Sequence, residues 1–134
     1  MTGPVIVLDA GVLDRASVNK EFRWVLRNLV DRGWDPAIPT VVLAEAITGG
    51  PIDATVNQFI ARLGTVQTTE PTARLAGHLR FATRRTRGRA RPSGIDAVVA
   101  AHAAQAPRAV VFTTDPSDLR LLLDGQPHVV VDSP

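Results

Sequence analysis

The stretch Val5-Ile6-Val7-Leu8-Asp9-Ala10-Gly11 decides the fold class of this 134-residue chain. Four consecutive apolar residues that end at an acid and a small-residue turn are typical of a strand buried on both faces of a parallel sheet. Similar apolar runs predict two further strands, over Ala109–Phe112 and over residues 129–131. A very short strand is predicted within residues 36–39.

Segments with helical spacing of apolar residues separate these strands. The first predicted helix begins after Ser17 and ends before Gly33, and others cover residues 41–47, 53–63, 71–87, 94–105 and 116–123. Strands that alternate with helices predict an α/β fold, in which a central parallel sheet is flanked by helices. The length of the chain predicts one domain over residues 1–134.

The composition excludes several classes of function. The chain has no cysteine, so disulfides, thiolate metal sites and cysteine nucleophiles are absent. No apolar run approaches the ~20 residues that span a bilayer. The first residues do not resemble a secretory signal, so we expect a cytoplasmic protein without membrane contact.

Charge is distributed unevenly along the chain. The 25 residues between Glu70 and Asp96 contain seven arginines and no acid, although the net charge of the whole chain is only +2. A solvated surface is the ordinary interpretation of such a run. Because the run leads directly to Asp96, we predict instead that its later arginines bind the phosphates of RNA. These are Arg84, Arg85, Arg87, Arg89 and Arg91.

Two acids directly follow buried strands. Asp9 ends the first strand, and Asp115 lies just after the strand Ala109–Phe112. Ligands of open α/β sheets bind at the carboxyl ends of the strands, so we expect these two side chains to meet. The alternatives are local: Asp9 as a turn residue, and Asp115 as a helix cap with Asp118 three residues on.

Two further acids belong to predicted helices. Glu45 lies in a segment that is apolar nearly all round, where a carboxylate is costly to bury unless a cation pairs with it. The alternative is that Glu45 occupies the one solvated edge of that helix. Asp96 follows Ser93 by three residues and fits a capping box, but the apolar residues after it indicate that this helix start points inward.

Several carboxylates that meet without a lysine or arginine repel one another strongly. Divalent cations remove this repulsion, and oxygen ligands of this kind select Mg²⁺ or Mn²⁺. Such a site can activate water and stabilise the leaving oxygen of a phosphodiester. The acids therefore predict metal-dependent phosphodiester hydrolysis.

Four short motifs carry these acids. They are Val7-Leu8-Asp9-Ala10-Gly11, Pro39-Thr40-Val41-Val42-Leu43-Ala44-Glu45, Gly94-Ile95-Asp96-Ala97 and Val111-Phe112-Thr113-Thr114-Asp115-Pro116-Ser117-Asp118-Leu119. In this order the motifs resemble the PIN-domain family, especially the VapC-type toxins of toxin–antitoxin pairs. The resemblance implies a PIN-like three-layer sandwich.

The resemblance also implies an activity and its residues. The activity is an endoribonuclease that leaves a 5′-phosphate and a 3′-hydroxyl through attack of a metal-bound water. Its four catalytic acids are Asp9, Glu45, Asp96 and Asp115, which hold one or two Mg²⁺ or Mn²⁺ ions, with Asp9, Asp96 and Asp115 as the metal ligands. Asp118 and Thr114 are implied as auxiliary residues. The implied partners are an RNA substrate, a second copy of the chain in a homodimer, and an antitoxin whose tail enters the acidic pocket.

One residue departs from the pattern of the family. Many members have Ser, Thr or Asn where this chain has Gly11, so a side-chain hydrogen bond near Asp9 is missing. Two alternatives to the ribonuclease stay open at this point. One is a non-catalytic PIN-like module that binds RNA or protein, and the other is a DNA nuclease, because carboxylate–metal chemistry does not choose the sugar.

Overall fold

The computed structural model describes residues 3–16, 19–83 and 91–134. Strands and helices alternate along this part of the chain, which confirms the predicted α/β class. The strands are β1 (Val5–Leu8), β2 (Asp35–Ala37), β3 (Ala109–Phe112) and β4 (Val129–Asp132). The helices are α1 (Ala10–Ala16), α2 (Lys20–Asp31), α3 (Leu43–Ala46), α4 (Asp53–Leu63), α5 (Glu70–Ala82), α6 (Gly94–Gln105) and α7 (Pro116–Leu122).

The four strands form one parallel sheet in the order β2-β1-β3-β4. All four residues of β1 are fully buried, as expected for a central strand covered by helices on both faces. In the β1–β3 pair, Val5 lies opposite Ala109 and Leu8 opposite Phe112. Because these strands end in register, Asp9 and Thr113 emerge at the same edge of the sheet.

Helix α6 connects this edge to the core. Ser93 caps the helix, since its Oγ accepts a hydrogen bond from the backbone N–H of Asp96 at 3.1 Å. The following turns are largely buried and pack against β1, β3 and α5. The structure therefore confirms Ser93 as the N-cap, and Asp96 at the start of this helix is partly buried.

Several predicted elements differ in detail from the structure. A separate helix, α1, follows β1 directly, and α2 is capped by the Asn19 side chain rather than by Ser17, which lies outside the described residues. The helix predicted over residues 41–47 is a 3-10 turn, Thr40–Val42, followed by the single turn of α3. Asp115 occupies the N-cap position of α7, but its side chain makes no capping hydrogen bond.

The helix predicted over residues 71–87 ends earlier than expected. Helix α5 stops at Ala82, where the Thr83 hydroxyl donates to the carbonyl of Arg80 at 2.7 Å, and residues 84–90 lie outside the described part of the chain. A side-chain hydroxyl that satisfies a terminal carbonyl is a local stop signal. In the described ranges, no helix is both long enough and apolar enough to cross a membrane.

Candidate active site

Asp9 lies at the carboxyl end of β1 with both carboxylate oxygens held. Its Oδ1 accepts a hydrogen bond from the Ala10 backbone N–H at 2.8 Å, and its Oδ2 accepts one from the Thr113 hydroxyl at 2.9 Å. Its backbone N–H donates to the Phe112 carbonyl and extends the β1–β3 pairing by one residue. Each oxygen retains a second lone pair, so the carboxylate is fixed in orientation and still able to bind a ligand.

Thr113 links the two strand ends, and it was not among the residues predicted from the sequence. The side chain is fully buried, and its hydroxyl accepts a hydrogen bond from the Asp115 backbone N–H at 3.1 Å while it donates to Asp9. The predicted auxiliary residue, Thr114, is instead exposed. A hydroxyl directly after a buried strand was the available signal for Thr113, because a buried hydroxyl needs a partner.

Asp96 is the acid of this site whose pKa the fold shifts most clearly. Burial and, next, the negative charge of Asp9 raise the pKa of this half-buried carboxyl from 3.8 to about 6. A hydrogen bond with the Ser93 side chain lowers the pKa, whereas the charges of Asp118 and Glu45 raise it further. Three of the expected acids, Asp9, Asp118 and Glu45, therefore act electrostatically on Asp96.

The remaining acids occupy positions of different character. Glu45 is exposed, so the predicted cost of burying it does not arise, and it lies on the solvated edge of α3. Asp118 lies in the first turn of α7, close enough to act on Asp96. Asp115 is exposed, and its Oδ1 accepts a hydrogen bond from the Ser117 hydroxyl at 3.0 Å. Thr113 joins the Asp9 carboxylate to the backbone N–H of Asp115, whereas no hydrogen bond within the described residues brings the two acidic side chains together as predicted.

The carboxylates surround a common region without forming a compact cage. In the part of the chain that the structure describes, no three acidic or histidine side chains come close enough to hold one metal ion. Within the same residues, the ion pair that forms is Arg74–Glu70, so none of the acids around Asp96 has a cationic partner. Carboxylates without a counter-charge repel one another and stay apart, whereas a divalent cation would draw them together.

The donor set fits a hard divalent cation. It consists of carboxylate oxygens, the ligands that Mg²⁺ and Mn²⁺ prefer, and Asp9 is oriented by two hydrogen bonds. Of the acids predicted to bind metal, Asp9 and Asp96 interact electrostatically, and the β3–α7 region offers Asp115 and Asp118.

The arginine-rich segment is described only in part. Of the five arginines predicted to bind RNA, Arg91 is exposed next to the start of α6, and the other four lie in the undescribed residues 84–90. Arg80 has a structural role, because its Nε donates a hydrogen bond to the Pro92 carbonyl at 2.7 Å. This bond ties α5 to the stretch of chain that leads into α6.

A groove of about 710 Å³ lies between α2 and α4. Its apolar wall includes Trp24, whose side chain is 68% exposed, and its rim carries three arginines. Such a surface combines hydrophobic contact area with positive charge. The groove is lined by Arg23, Trp24, Leu26, Arg27, Val30, Thr55, Gln58, Phe59, Arg62 and Leu63.

Comparison with known proteins identifies the architecture. No family model matches the chain, and no curated protein matches it. Among solved structures, a chain of VapBC2 from Rickettsia felis, crystallised with a DNA fragment from its promoter, is similar with a TM-score of 0.75. The similarity covers 97% of this chain and 98% of that chain at 17% sequence identity. The chain therefore has the α/β, PIN-like fold of a VapC-type structure, with a four-stranded parallel sheet flanked by helices.

Proposed function

We propose that this protein is a metal-dependent endoribonuclease and the toxin of a toxin–antitoxin pair. The observation that carries the proposal is the placement of Asp96, at the start of α6, within electrostatic reach of Asp9, Asp118 and Glu45, where burial and, next, the charge of Asp9 raise its pKa. Strong perturbation by burial and like charges is typical of functional sites, because a structural carboxylate is normally given donors instead. The similarity to a VapBC2 chain supports the same conclusion.

The chemistry follows from the positions of the acids. When bound, Mg²⁺ or Mn²⁺ supplies Lewis acidity and lowers the pKa of a water molecule. The carboxylates of Asp9 and Asp96 would hold this ion, and Thr113 keeps the Asp9 carboxylate in one orientation. Glu45 is exposed beside the cluster and accepts a proton from a water that attacks the phosphodiester.

The basic segment serves the same reaction. We propose that Arg84, Arg85, Arg87, Arg89 and Arg91 bind the RNA backbone, since they precede α6 and Asp96 directly. An acidic cluster repels phosphates, so cationic side chains beside it are needed to bring the substrate close. The homodimer implied by the resemblance remains a prediction, and analytical ultracentrifugation of the purified chain tests it.

The groove between α2 and α4 supplies a surface for an antitoxin. We propose that it binds an amphipathic, acidic segment of that partner, because apolar side chains line its floor and Arg23, Arg27 and Arg62 its rim. Co-expression with a candidate antitoxin tests this. A stable complex that Trp24→Glu disrupts is expected; a complex that this substitution leaves intact would place the partner elsewhere.

Cleavage of RNA is the experiment that tests the nuclease. The purified chain, free of partner protein, is incubated with several structured RNAs in Mn²⁺ or Mg²⁺, beside an EDTA control. Asp96→Asn is expected to abolish cleavage, while Asp124→Asn, which removes an exposed acid from the turn after α7, should retain it. Products should carry a 5′-phosphate.

The control outcomes separate the remaining alternatives. Equal cleavage of matched DNA would indicate a nuclease that does not select the sugar. If no nucleic acid is cleaved and calorimetry detects no Mn²⁺ binding, the non-catalytic binding module replaces the enzyme.

A further inference from the structure

Gly11 and Thr114 fit together across two elements of the candidate site. Gly11 lies in the first turn of α1, and Thr114 in the loop that joins β3 to α7. A Cβ atom added to Gly11 would overlap the Thr114 hydroxyl oxygen, and it would lie only 3.2 and 3.3 Å from Thr114 Cγ2 and Cβ. The Thr114 side chain thus fills the space that any larger residue at position 11 requires.

The Thr114 hydroxyl is also chemically free. Thr113, its neighbour, uses its hydroxyl in hydrogen bonds with Asp9 and Asp115. Thr114 is exposed, and its hydroxyl makes no hydrogen bond to another residue that the structure describes. Thr114 lies between Thr113 and Asp115 in sequence, and its side chain contacts Gly11. Its hydroxyl is therefore at the edge of the carboxylate cluster.

The carboxylates of the cluster cannot donate hydrogen bonds, and this determines which ligand the Thr114 hydroxyl is suited to bind. Ionised carboxylates only accept hydrogen bonds, so Asp9, Glu45 and Asp118 offer a phosphate oxygen nothing but repulsion. A neutral O–H group at the same place donates to a phosphate oxygen without adding charge, and such charge-assisted bonds are stronger than neutral ones.

We propose that the space left by Gly11 seats the Thr114 hydroxyl, which donates a hydrogen bond to a backbone phosphate of the RNA at the candidate site. The proposal rests on the nuclease function for the identity of the ligand. The fit between Gly11 and Thr114 stands independently of that function, because it follows from the packing alone.

An unfolding cycle in EDTA, without RNA, tests the fit. Gly11→Ala is expected to lower the melting temperature by about 5 °C, because the new methyl group must displace Thr114 or its loop. In the Thr114→Gly background, adding Gly11→Ala should lower the melting temperature very little. Strictly additive effects of the two substitutions would overturn the fit.

A binding measurement tests the phosphate contact. Fluorescence anisotropy of a labelled single-stranded RNA is followed in the Asp96→Asn background, where the probe is not consumed. Thr114→Val keeps the shape and should weaken binding about tenfold with an unchanged melting temperature, whereas Thr114→Ser should bind within a factor of about two of the parent. Gly11→Ser/Thr114→Gly, which moves the hydroxyl to position 11, should bind more tightly than Gly11→Ala/Thr114→Gly.

Each outcome decides one part of the proposal. Equal affinity of Thr114→Val and the parent would overturn the phosphate contact, as would a parent that binds no RNA. RNA binding that depends on Thr114, together with no cleavage and no Mn²⁺ binding by the unmodified chain, would refute the nuclease and keep the contact.

Discussion

Asp53 and Asp96 both lie in the first turn of a helix, α4 and α6 respectively. At the surface, the Asp53 carboxylate accepts hydrogen bonds from the backbone N–H and hydroxyl of Thr48, both at 2.9 Å, and from the Gly49 N–H at 2.7 Å. The hydrogen bond from the Thr48 backbone is the main cause that lowers its pKa. Asp96 is instead half-buried near other acids, and its pKa rises to about 6.

The difference separates a structural acid from a candidate functional one. Asp53 is surrounded by donors and stabilises the turn that leads into α4. Asp96 has the Ser93 side chain as a donor, and burial and like charges oppose its ionised form. A carboxylate in that environment gains from a proton or a cation, so the fold tolerates a local instability where a ligand is expected.

The largest expected effect is on metal binding. Asp96→Asn should weaken the affinity for Mn²⁺ roughly 100-fold, because it removes a ligand oxygen from an oxygen-only site. Asp53→Asn should leave the affinity unchanged. Isothermal titration calorimetry with both variants measures this, and equal affinities would place the metal away from α6.

Thr113→Val should produce the next largest effect, on stability. The substitution preserves volume but leaves Asp9 Oδ2 without its donor and the Asp115 N–H without an acceptor. We expect a loss of about 2 kcal/mol in the free energy of unfolding, because a buried group without its hydrogen bond costs that much. Urea denaturation checks the value, with the exposed Thr114→Val as the matched control, for which little change is expected.

Removal of positive charge should have a smaller effect, which is confined to RNA binding. Alanine at Arg85, Arg87 and Arg89 is expected to weaken RNA binding about tenfold at low salt, to flatten its salt dependence, and to leave Mn²⁺ binding intact. The control variant replaces Arg23, Arg27 and Arg62 of the α2–α4 groove, which changes the net charge equally. Equal losses in the two variants would indicate a general charge effect.

The smallest effect is the pH dependence of stability. The folded state has the higher pKa at Asp96, so it binds more protons than the unfolded state between pH 4 and 6, and ionisation destabilises the fold above that window. After allowance for solvent screening of this half-exposed group, the free energy of unfolding of Asp96→Asn relative to wild type should rise by about 1 kcal/mol from pH 4 to pH 7 in EDTA.

Asp53→Asn should respond to pH with the opposite sign. The lowered pKa of Asp53 means that its stabilising contribution is present at neutral pH and is lost as the pH falls. The variant should therefore be more destabilised at pH 7 than at low pH. Thermal unfolding of both variants from pH 7 down to about pH 2 measures the contrast, because the Asp53 contribution is lost only below its unfolded pKa of 3.8, and parallel curves would mean that the two carboxylates are equivalent.

Local patterns in the amino-acid sequence determine much of the fold. They predicted β1 over Val5–Leu8, β3 over Ala109–Phe112, α4 from Asp53 to Leu63 and the Ser93-capped start of α6, because strand burial and helix capping depend on neighbouring residues. The adjacency of β1 and β3 also followed, since it is the usual consequence of alternating strands and helices.

The candidate site depended more on tertiary structure. The order of the acids was visible in sequence, but in the sequence Asp53 and Asp96 are both simply acids at the start of a predicted helix. Their different pKa values arise from groups distant in sequence, such as Asp9 and Asp118 around Asp96. The exposure of Glu45 was equally hidden, because a run of apolar neighbours does not specify which edge of a short helix the core covers.

The sequence by itself therefore determined the element types, the parallel sheet and the set of acids, all of which follow from short-range periodicity and capping. Only the tertiary structure decided that Thr113 orients Asp9, that Thr114 occupies the space beside Gly11, and that α2 and α4 enclose an arginine-rimmed groove. These contacts join residues about 30 to 100 positions apart, and packing of the assembled core fixes them.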